Sequence, residues 1–311
     1  MVCTALDSVW NQTYRPLELI IVDDGSKDNS MEVIEDWRGH HPDGNGFTSV
    51  AKSFPNGKLC VARNRGLAMA HGEYIQYVDD DDWLYPEAIA RKMAYTFTHP
   101  ELDLIVNQLD YICDGKKINH TRITLPQHGE NLIAWLLDDH ECLISPVLMF
   151  KTETLRQIGA WKEGLIFADD MEITTRMAIN GCQFGLVDER LSAYCIHSKD
   201  RQCTTVRERL PDDFTPRLYE ALRDLAIKRG ALTVEVNSAF ADALMRNALS
   251  YAKHGKFKAA ELCMESSISI TEPNYLREII CHLALLNIYW RILFFLQLIK
   301  SFLKRIRHCL S

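Results

Sequence analysis

Two short acidic stretches in this 311-residue chain, each closing an apolar run, gather side chains that could bind a cation. In LELIIVDDGSKDNS the run ends at Asp23 and Asp24; in GEYIQYVDDDDW it ends at Asp79, Asp80, Asp81 and Asp82. Apolar runs closed by carboxylates read as strands that deliver them to a C-terminal sheet edge, and in an open α/β sheet ligands sit in the crevice outside that edge. Two carboxylate clusters on one rim imply a bound cation. Asp oxygens suit hard ions such as magnesium and manganese, which commonly bridge protein carboxylates and substrate phosphates. The chemistry expected is that of an enzyme using a phosphorylated donor.

The elements that must position these groups follow a βα alternation. Residues 17 to 22 form the first strand, Gly25 permits a turn, and Ser26 or Asp28 caps a helix carrying Met31, Val33, Ile34 and Trp37. A Gly/Pro/Asn-rich stretch at 42 to 46 precedes a strand near Val50, a helix from about 58 to 71 and a strand over 73 to 78. Pro86 opens another helix, and the apolar run 102 to 106 extends the alternation, which implies an α/β fold with a mainly parallel sheet. Beyond it the pattern gives loops, a helix at 132 to 137, a strand at 143 to 150, a helix at 171 to 179 and two short strands at 184 to 187 and 191 to 196. That places the end of a first domain near residue 205. Residues 206 to 311 read as helices at 212 to 229, 236 to 254, 256 to 271 and 275 to 308. Within them ALSYAKHGKFKAAELCMESSISITEPN has the form of one tetratricopeptide-type hairpin, with Gly255 in its turn and Pro273 at its end, serving either as a cap on the first domain or as a partner-binding surface.

Composition narrows the class. With 25% charged and 47% hydrophobic residues the chain is globular, and its net charge of -7 excludes a nucleic-acid binder, which needs a basic surface. Ten cysteines without a CxxC pair suggest neither zinc nor a disulfide framework, and read as reduced cytosolic thiols. Asp7 precedes any apolar h-region, so no signal peptide is read and a cytoplasmic location is expected. Residues 279 to 299 are apolar, yet His282, Asn287, Arg291 and Gln297 oppose a membrane span, because an arginine at mid-bilayer costs at least ~2.5 kcal/mol. From 291 to 308, Phe294, Leu298, Phe302 and Ile306 share one helical face and Lys300, Lys304 and His308 fall on the other. Such a basic amphipathic helix either lies on the inner face of an anionic membrane or docks on the protein's own core.

The runs SVWNQTYRPLELIIVDDGSKDNS, CVARNRGLAMAHGEYIQYVDDDDW and IGAWKEGLIFADDMEITTRMAINGC, in that order over the first two thirds of the chain, resemble the family-two glycosyltransferases, which share the GT-A nucleotide-sugar-binding fold. The resemblance implies a GT-A domain over 1 to 205 and inverting, manganese- or magnesium-dependent transfer of one sugar. The donor would be a nucleotide sugar, here a UDP-sugar. The acceptor would be a glycan or lipid-linked glycan in cell-envelope polysaccharide synthesis. Asp23 and Asp24 match the acidic pair that helps hold base and ribose, and Arg63 matches an arginine near the nucleotide. Asp79 and Asp81 match the paired positions of the metal motif, with Asp81 on the ion and Asp79 or Asp80 meeting the ribose, or the ion through water. Asp169 and Asp170 match an acidic pair at a helix start whose second member is the general base. His197 matches a histidine that serves as third metal ligand or diphosphate contact. Outside the metal motif each has a blander alternative: a helix-capping turn for Asp23 and Asp24, a surface charge for Arg63, complementing a helix N-terminus (worth ~0.3 to 1 kcal/mol) for Asp169 and Asp170, and a structural histidine for His197.

Two departures from the family qualify this. The chain has no QxxRW motif and no array of spans, which favours single-sugar over processive transfer. The family's opening apolar strand, expected ahead of the segment resembling residues 3 to 12, is not in the chain, so the first domain is expected to be incomplete beside the base pocket. Two rival readings follow: a truncated, inactive scaffold whose helical tail binds partners or membrane, and a sugar nucleotidyltransferase, which calls for a Gly-rich N-terminal phosphate loop that the sequence does not have.

Overall fold

A computed structural model of the chain describes residues 2–118, 122–126, 129–138, 143–196 and 209–270. Its first unit is helix α1 (Val2–Trp10), strand β1 (Leu17–Asp23), helix α2 (Ser30–His40) and strand β2 (Phe47–Ser53). β1 and β2 pair in parallel from Leu17 opposite Phe47 to Asp23 opposite Ser53, over an apolar layer of Leu6, Ile34, Trp37 and Phe47. Helix α3 (Leu59–Met69) leads to β3 (Tyr74–Gln76), β4 (Trp83–Leu84) and α4 (Ala88–Thr98). Then come β5 (Leu104–Cys113), β6 (Lys116–Ile118), α5 (Leu132–Leu137), a 3-10 turn (Ser145–Val147), β7 (Met149–Lys151), α6 (Thr152–Gln157), α7 (Asp169–Ile179) and β8 (Phe184–Ile196). The helical region is α8 (Phe214–Lys228), α9 (Val234–Lys253) and α10 (Phe257–Ile270).

The second sheet runs β3-β7-β5-β8-β4, with β6 paired to β5. Its longest pairing, β5 with β8, is parallel like that of β1 with β2, and the short pairings are antiparallel. β5 outruns the apolar stretch that announced it, because its polar continuation is satisfied inside the sheet: the Asn107 amide donates to Ser192 Oγ at 2.8 Å, and Gln108 binds both the N–H and the carbonyl of Ile123. The two strands expected at 184 to 187 and 191 to 196 are one, since a shift of register opposite Asn107 to Leu109 carries Asp188, Glu189 and Arg190 through without ending the ladder. The strand expected at 143 to 150 is corrected to the 3-10 turn followed by a three-residue strand. Pro146 fixes its own φ and donates no N–H to a ladder, so pairing starts only at Met149. Pro273, residues 275 to 308 and His197 lie outside the described residues.

Apolar though it is, the run of β1 over residues 17 to 22 is only half-buried. β1 has β2 on one side and, among the described residues, no strand on the other; β3 likewise ends its sheet. Both open edges line a cavity of about 2110 Å³. The two sheets are nonetheless tied through the turn that follows α1. Gln12, 3% exposed, donates to the Tyr85 carbonyl at 2.8 Å and accepts from the Ile89 N–H at 3.0 Å.

The main core joins the α/β part to the helices: Leu104, Val106, Leu148, Phe150, Trp161, Ile173 and Met177 share one cluster with Leu222, Phe240 and Leu244. The helices thus pack against the sheet through this cluster. α9 and α10 are joined by a turn at Gly255 with φ of 77°, a left-handed value that glycine adopts without strain. At the centre of the core the ring of Phe150 meets those of Tyr77 and Trp161 edge-on at 6.0 and 5.8 Å. Phe150→Ala is expected to lower the unfolding free energy by about 3–5 kcal/mol, read from urea denaturation with an unchanged m-value.

Candidate active site

The carboxylates that end β1 are engaged with the loop beside them. Asp23 accepts from the Ser26 N–H at 3.0 Å and from Ser53 Oγ at 2.6 Å, and these bonds outweigh the burial that opposes ionisation, holding its pKa below the ordinary value. Asp24 accepts from the Gly57 and Lys58 N–H groups at 2.8 and 2.7 Å and from Arg65 Nη1 at 2.7 Å. Gly25 between them has φ of 85°, and a Cβ there would stand 3.0 Å from the Asn56 nitrogen and 3.2 Å from the Phe54 oxygen, both backbone atoms. The DDG turn thus clamps the segment that leads into α3. Asp23, Asp24, Ser26, Asn56 and Lys58 all line the large cavity.

Arg63 stands behind the acidic loop. On α3 and 6% exposed, it donates through Nη1 to Asp169 Oδ2 at 2.6 Å and Asp170 Oδ1 at 3.3 Å, and through Nη2 to Asp79 Oδ1 at 3.3 Å. Its Cζ lies 4.3 Å from the ring centroid of Trp161 and 5.9 Å from that of Tyr77. Burial works against the cation, but Asp170, Asp79 and Asp169 prevail and raise its pKa. The surface-charge alternative is thereby excluded. Its neighbours divide the remaining ties: Asn64 binds the backbone of Trp161 in both directions at 2.9 Å, and Arg65 reaches Asp24. Neither Asn64 nor Trp161 was legible as a site residue, because nothing in VARNRG or GAW marks a backbone clamp.

The four successive aspartates separate by direction. Asp82 is 1% exposed; its N–H donates to the Asp79 carbonyl at 3.1 Å and its Oδ1 accepts from the Cys195 N–H at 2.8 Å, joining the loop to the end of β8. Its Oδ2 is buried without a partner, and burial together with Asp79, Asp81 and Asp80 pushes its pKa up to about 8. Asp79, Asp80 and Asp81 line the cavity instead. Asp80 is raised by burial, then by Asp81 and Asp79. Such crowding of anions is what a cation relieves, and the donors are hard oxygens, so the loop fits magnesium or manganese. Among the described residues no group of three or more His, Cys, Asp or Glu side chains is arranged to hold a metal ion.

Asp169 and Asp170 open α7, after Ala168 in a left-handed conformation (φ 60°). Burial raises Asp170 to about 7; Arg63 opposes the rise, Asp169 and Asp79 add to it, and the Ser145 N–H bonds the ionised form. A carboxylate poised near neutrality matches the pH at which a general base works best. The structure therefore brings together Asp79, Asp169 and Asp170 around Arg63, with Asp80 and Asp81 beside them and Asp23 and Asp24 on another wall of the same cavity.

A profile described as Glycosyl transferase family 2 matches residues 1–159, half of the chain. The chain belongs to glycosyltransferase family 2. An uncharacterized glycosyltransferase of Haemophilus influenzae is 30% identical over 145 residues, 44% of this chain and 56% of that protein. The chondroitin synthase of Pasteurella multocida is 40% identical over 84 residues, 27% of this chain and 8% of that protein. The chain thus spans less than two thirds of either relative. In fold it is similar to Staphylococcus aureus TarS, solved in complex with UDP-GlcNAc, with a TM-score of 0.58 at 17% identity over 86% of this chain and 88% of that one. It is also similar to a mannosyltransferase of Pyrobaculum calidifontis solved with GDP-Man and Mn2+, with a TM-score of 0.52 at 19% identity over 89% and 79%. These likenesses establish a GT-A fold.

In this family-2 chain the buried Asp82 sets a pH dependence. Its folded pKa of about 8 lies above the ordinary 3.8, so the folded state holds a proton the unfolded state has released. The stability it contributes is complete below 3.8 and is lost as pH rises through 8. Asp82→Asn, which keeps an acceptor for Cys195, should flatten the fall in urea midpoint between pH 7 and 9 in metal-free protein. An unchanged slope would contradict the assignment.

Proposed function

We propose that this chain is a metal-dependent, inverting glycosyltransferase that moves one sugar from a nucleotide sugar, a UDP-sugar, to a glycan or lipid-linked acceptor in cell-envelope polysaccharide synthesis. The observation that carries the reading is the buried Arg63 guanidinium, which fixes a carboxylate of the acidic loop and the acidic pair of α7 around one cavity. The UDP-GlcNAc bound by TarS and the GDP-Man and Mn2+ bound by the mannosyltransferase support a nucleotide-sugar donor and a divalent ion. The chondroitin synthase relative supports a glycan acceptor. Contact with an anionic membrane surface through residues 291 to 308 belongs to the same proposal, and among the described residues no helix is long and apolar enough to cross a membrane.

Asp81 and Asp79 would hold magnesium or manganese, with His197 as a third ligand. Bound there, the ion would neutralise the charge that builds on the leaving diphosphate. Asp170 takes the proton of the acceptor hydroxyl as its oxygen attacks the anomeric carbon. The bond from that carbon to the phosphate oxygen breaks, and its electron pair leaves with the nucleoside diphosphate. A single displacement inverts the centre and needs one base. Asp169 takes the shorter contact with Arg63, 2.6 against 3.3 Å, which leaves Asp170 the less tightly held of the two. Asp23 and Asp24 would face base and ribose, with Asp80 at the ribose side.

The open edges of β1 and β3 favour a second reading, in which the described residues are an incomplete enzyme whose sheet lacks a strand beside Asp23. Manganese-dependent hydrolysis and transfer from a panel of nucleotide sugars separates the two. The first reading expects turnover of one donor, abolished by Asp81→Ala and lowered about 10²–10⁴-fold by Asp170→Asn with donor binding retained. Absence of both turnover and UDP binding here, with both present in an N-terminally extended chain, would establish the second.

A further inference from the structure

Lys58, the residue before α3, has a backbone that suits another residue. Its φ of 70° with ψ of 170° lies in a region that glycine alone enters without strain. Main-chain bonds hold it there. The Gly57 and Lys58 N–H groups donate to the two oxygens of Asp24 at 2.8 and 2.7 Å, and the Lys58 carbonyl accepts from the Ala62 N–H at 3.0 Å. Glycine at this position would make every one of these bonds and relieve the strain. What lysine adds is its side chain, which is exposed and lines the cavity.

The charge of the cavity indicates what that side chain meets. Among the described residues that line it, Lys58 and Arg63 alone are cationic. The Arg63 guanidinium is spent on Asp79, Asp169 and Asp170. Arg65 turns to Asp24 and the Pro55 carbonyl, and is not part of the lining. Lys58 forms no ion pair with any described residue. A wall rich in aspartate repels an anionic ligand, and Lys58 is the cation that remains to receive one.

We propose that Lys58 binds the diphosphate of the nucleotide-sugar donor, its ammonium pairing with phosphate oxygens on the exposed side of the cavity. A compact charge on a flexible four-carbon stem meets a phosphate without demanding one fixed geometry, and a charge-assisted bond of this kind is among the stronger ones. The strained backbone is then what it costs to place a cation on this turn. The inference rests on the donor being a nucleoside diphosphate sugar.

The test uses the full chain with Lys58→Gly and Lys58→Met. It compares, by calorimetric titration in the presence of manganese, the binding of UDP or GDP, whichever the wild type holds more tightly, with that of the matching nucleoside. The dissociation constant of the diphosphate is expected to rise about fivefold or more in both variants, while that of the nucleoside stays within about twofold. Added salt should narrow the gap between wild type and variant. The urea midpoint of Lys58→Gly should be no lower than that of the wild type, which separates lost binding from lost folding. Diphosphate affinity unchanged in both variants would overturn the inference and leave Lys58 a solvated surface charge. Nucleoside and diphosphate affinities falling together would also overturn it, by placing Lys58 at the base. If neither this chain nor an N-terminally extended one binds either diphosphate, the nucleotide-sugar reading falls and this inference with it. Where only the extended chain binds, the variants are made in that chain and the same outcomes decide.

Discussion

Removing a guanidinium from water is costly, and Arg63 sits in the interior because three carboxylates and two aromatic faces replace the water it loses. Arginine suits the place, since its planar fork presents donors in two directions at once, one edge to α7 and the other to the acidic loop. Removing Arg63 leaves three neighbouring carboxylates without their cation, which is more damaging than never having placed the cluster there. That constraint reaches outward. Trp161 must lie flat on the guanidinium, and Asn64 pins Trp161 by its backbone. Tyr77 packs edge-on beside Trp161, with ring centroids 5.3 Å apart, and the aromatic core around Phe150 backs both rings. The position of the acidic site is thus set by the hydrophobic core through one cation.

The same site is kept against its own electrostatics. Asp79, Asp80, Asp81 and Asp82 follow one another in the chain, and Asp169 and Asp170 stand close by; Asp80, Asp82 and Asp170 all have pKa values raised by burial and mutual repulsion. A protein selected for stability alone would not collect these groups. The gathering of Asp79, Asp80, Asp81, Asp169 and Asp170 on one cavity agrees with a site whose ligands bring positive charge, in keeping with the trade of stability against function common at active sites.

Much of this was legible in the residues. The strand-ending acidic runs placed β1, β3 and their carboxylates, and the 3.6-residue periodicity placed α2, α3, α4, α7 and the α9–α10 hairpin, because local pattern and tertiary burial agree there. Legibility failed where long-range partners override local preference. The direction of Asp82 depends on an amide of Cys195, more than a hundred residues on, and four identical residues in a row carry no sign of it. Arg63 was marked as functional, but its buried place among Asp79, Asp169 and Asp170 depends on contacts that no spacing encodes. Asn107, Gln108 and Asp110 extend a strand that their polarity argues against, since each finds a hydrogen-bond partner. The half-burial of β1 has the same origin: its apolar run is made to be covered laterally, and the described residues provide a neighbour on one side only.

If Arg63 is the tie between the acidic loop and the acidic pair of α7, its coupling to that pair must appear as free energy. A double-mutant cycle of Arg63→Met and Asp169→Asn on urea unfolding of the metal-free protein measures it directly. The account predicts a coupling of about 1.5 kcal/mol or more, within the range found for contacting charged partners. Additivity within about 0.3 kcal/mol, the behaviour of independent sites, would contradict it.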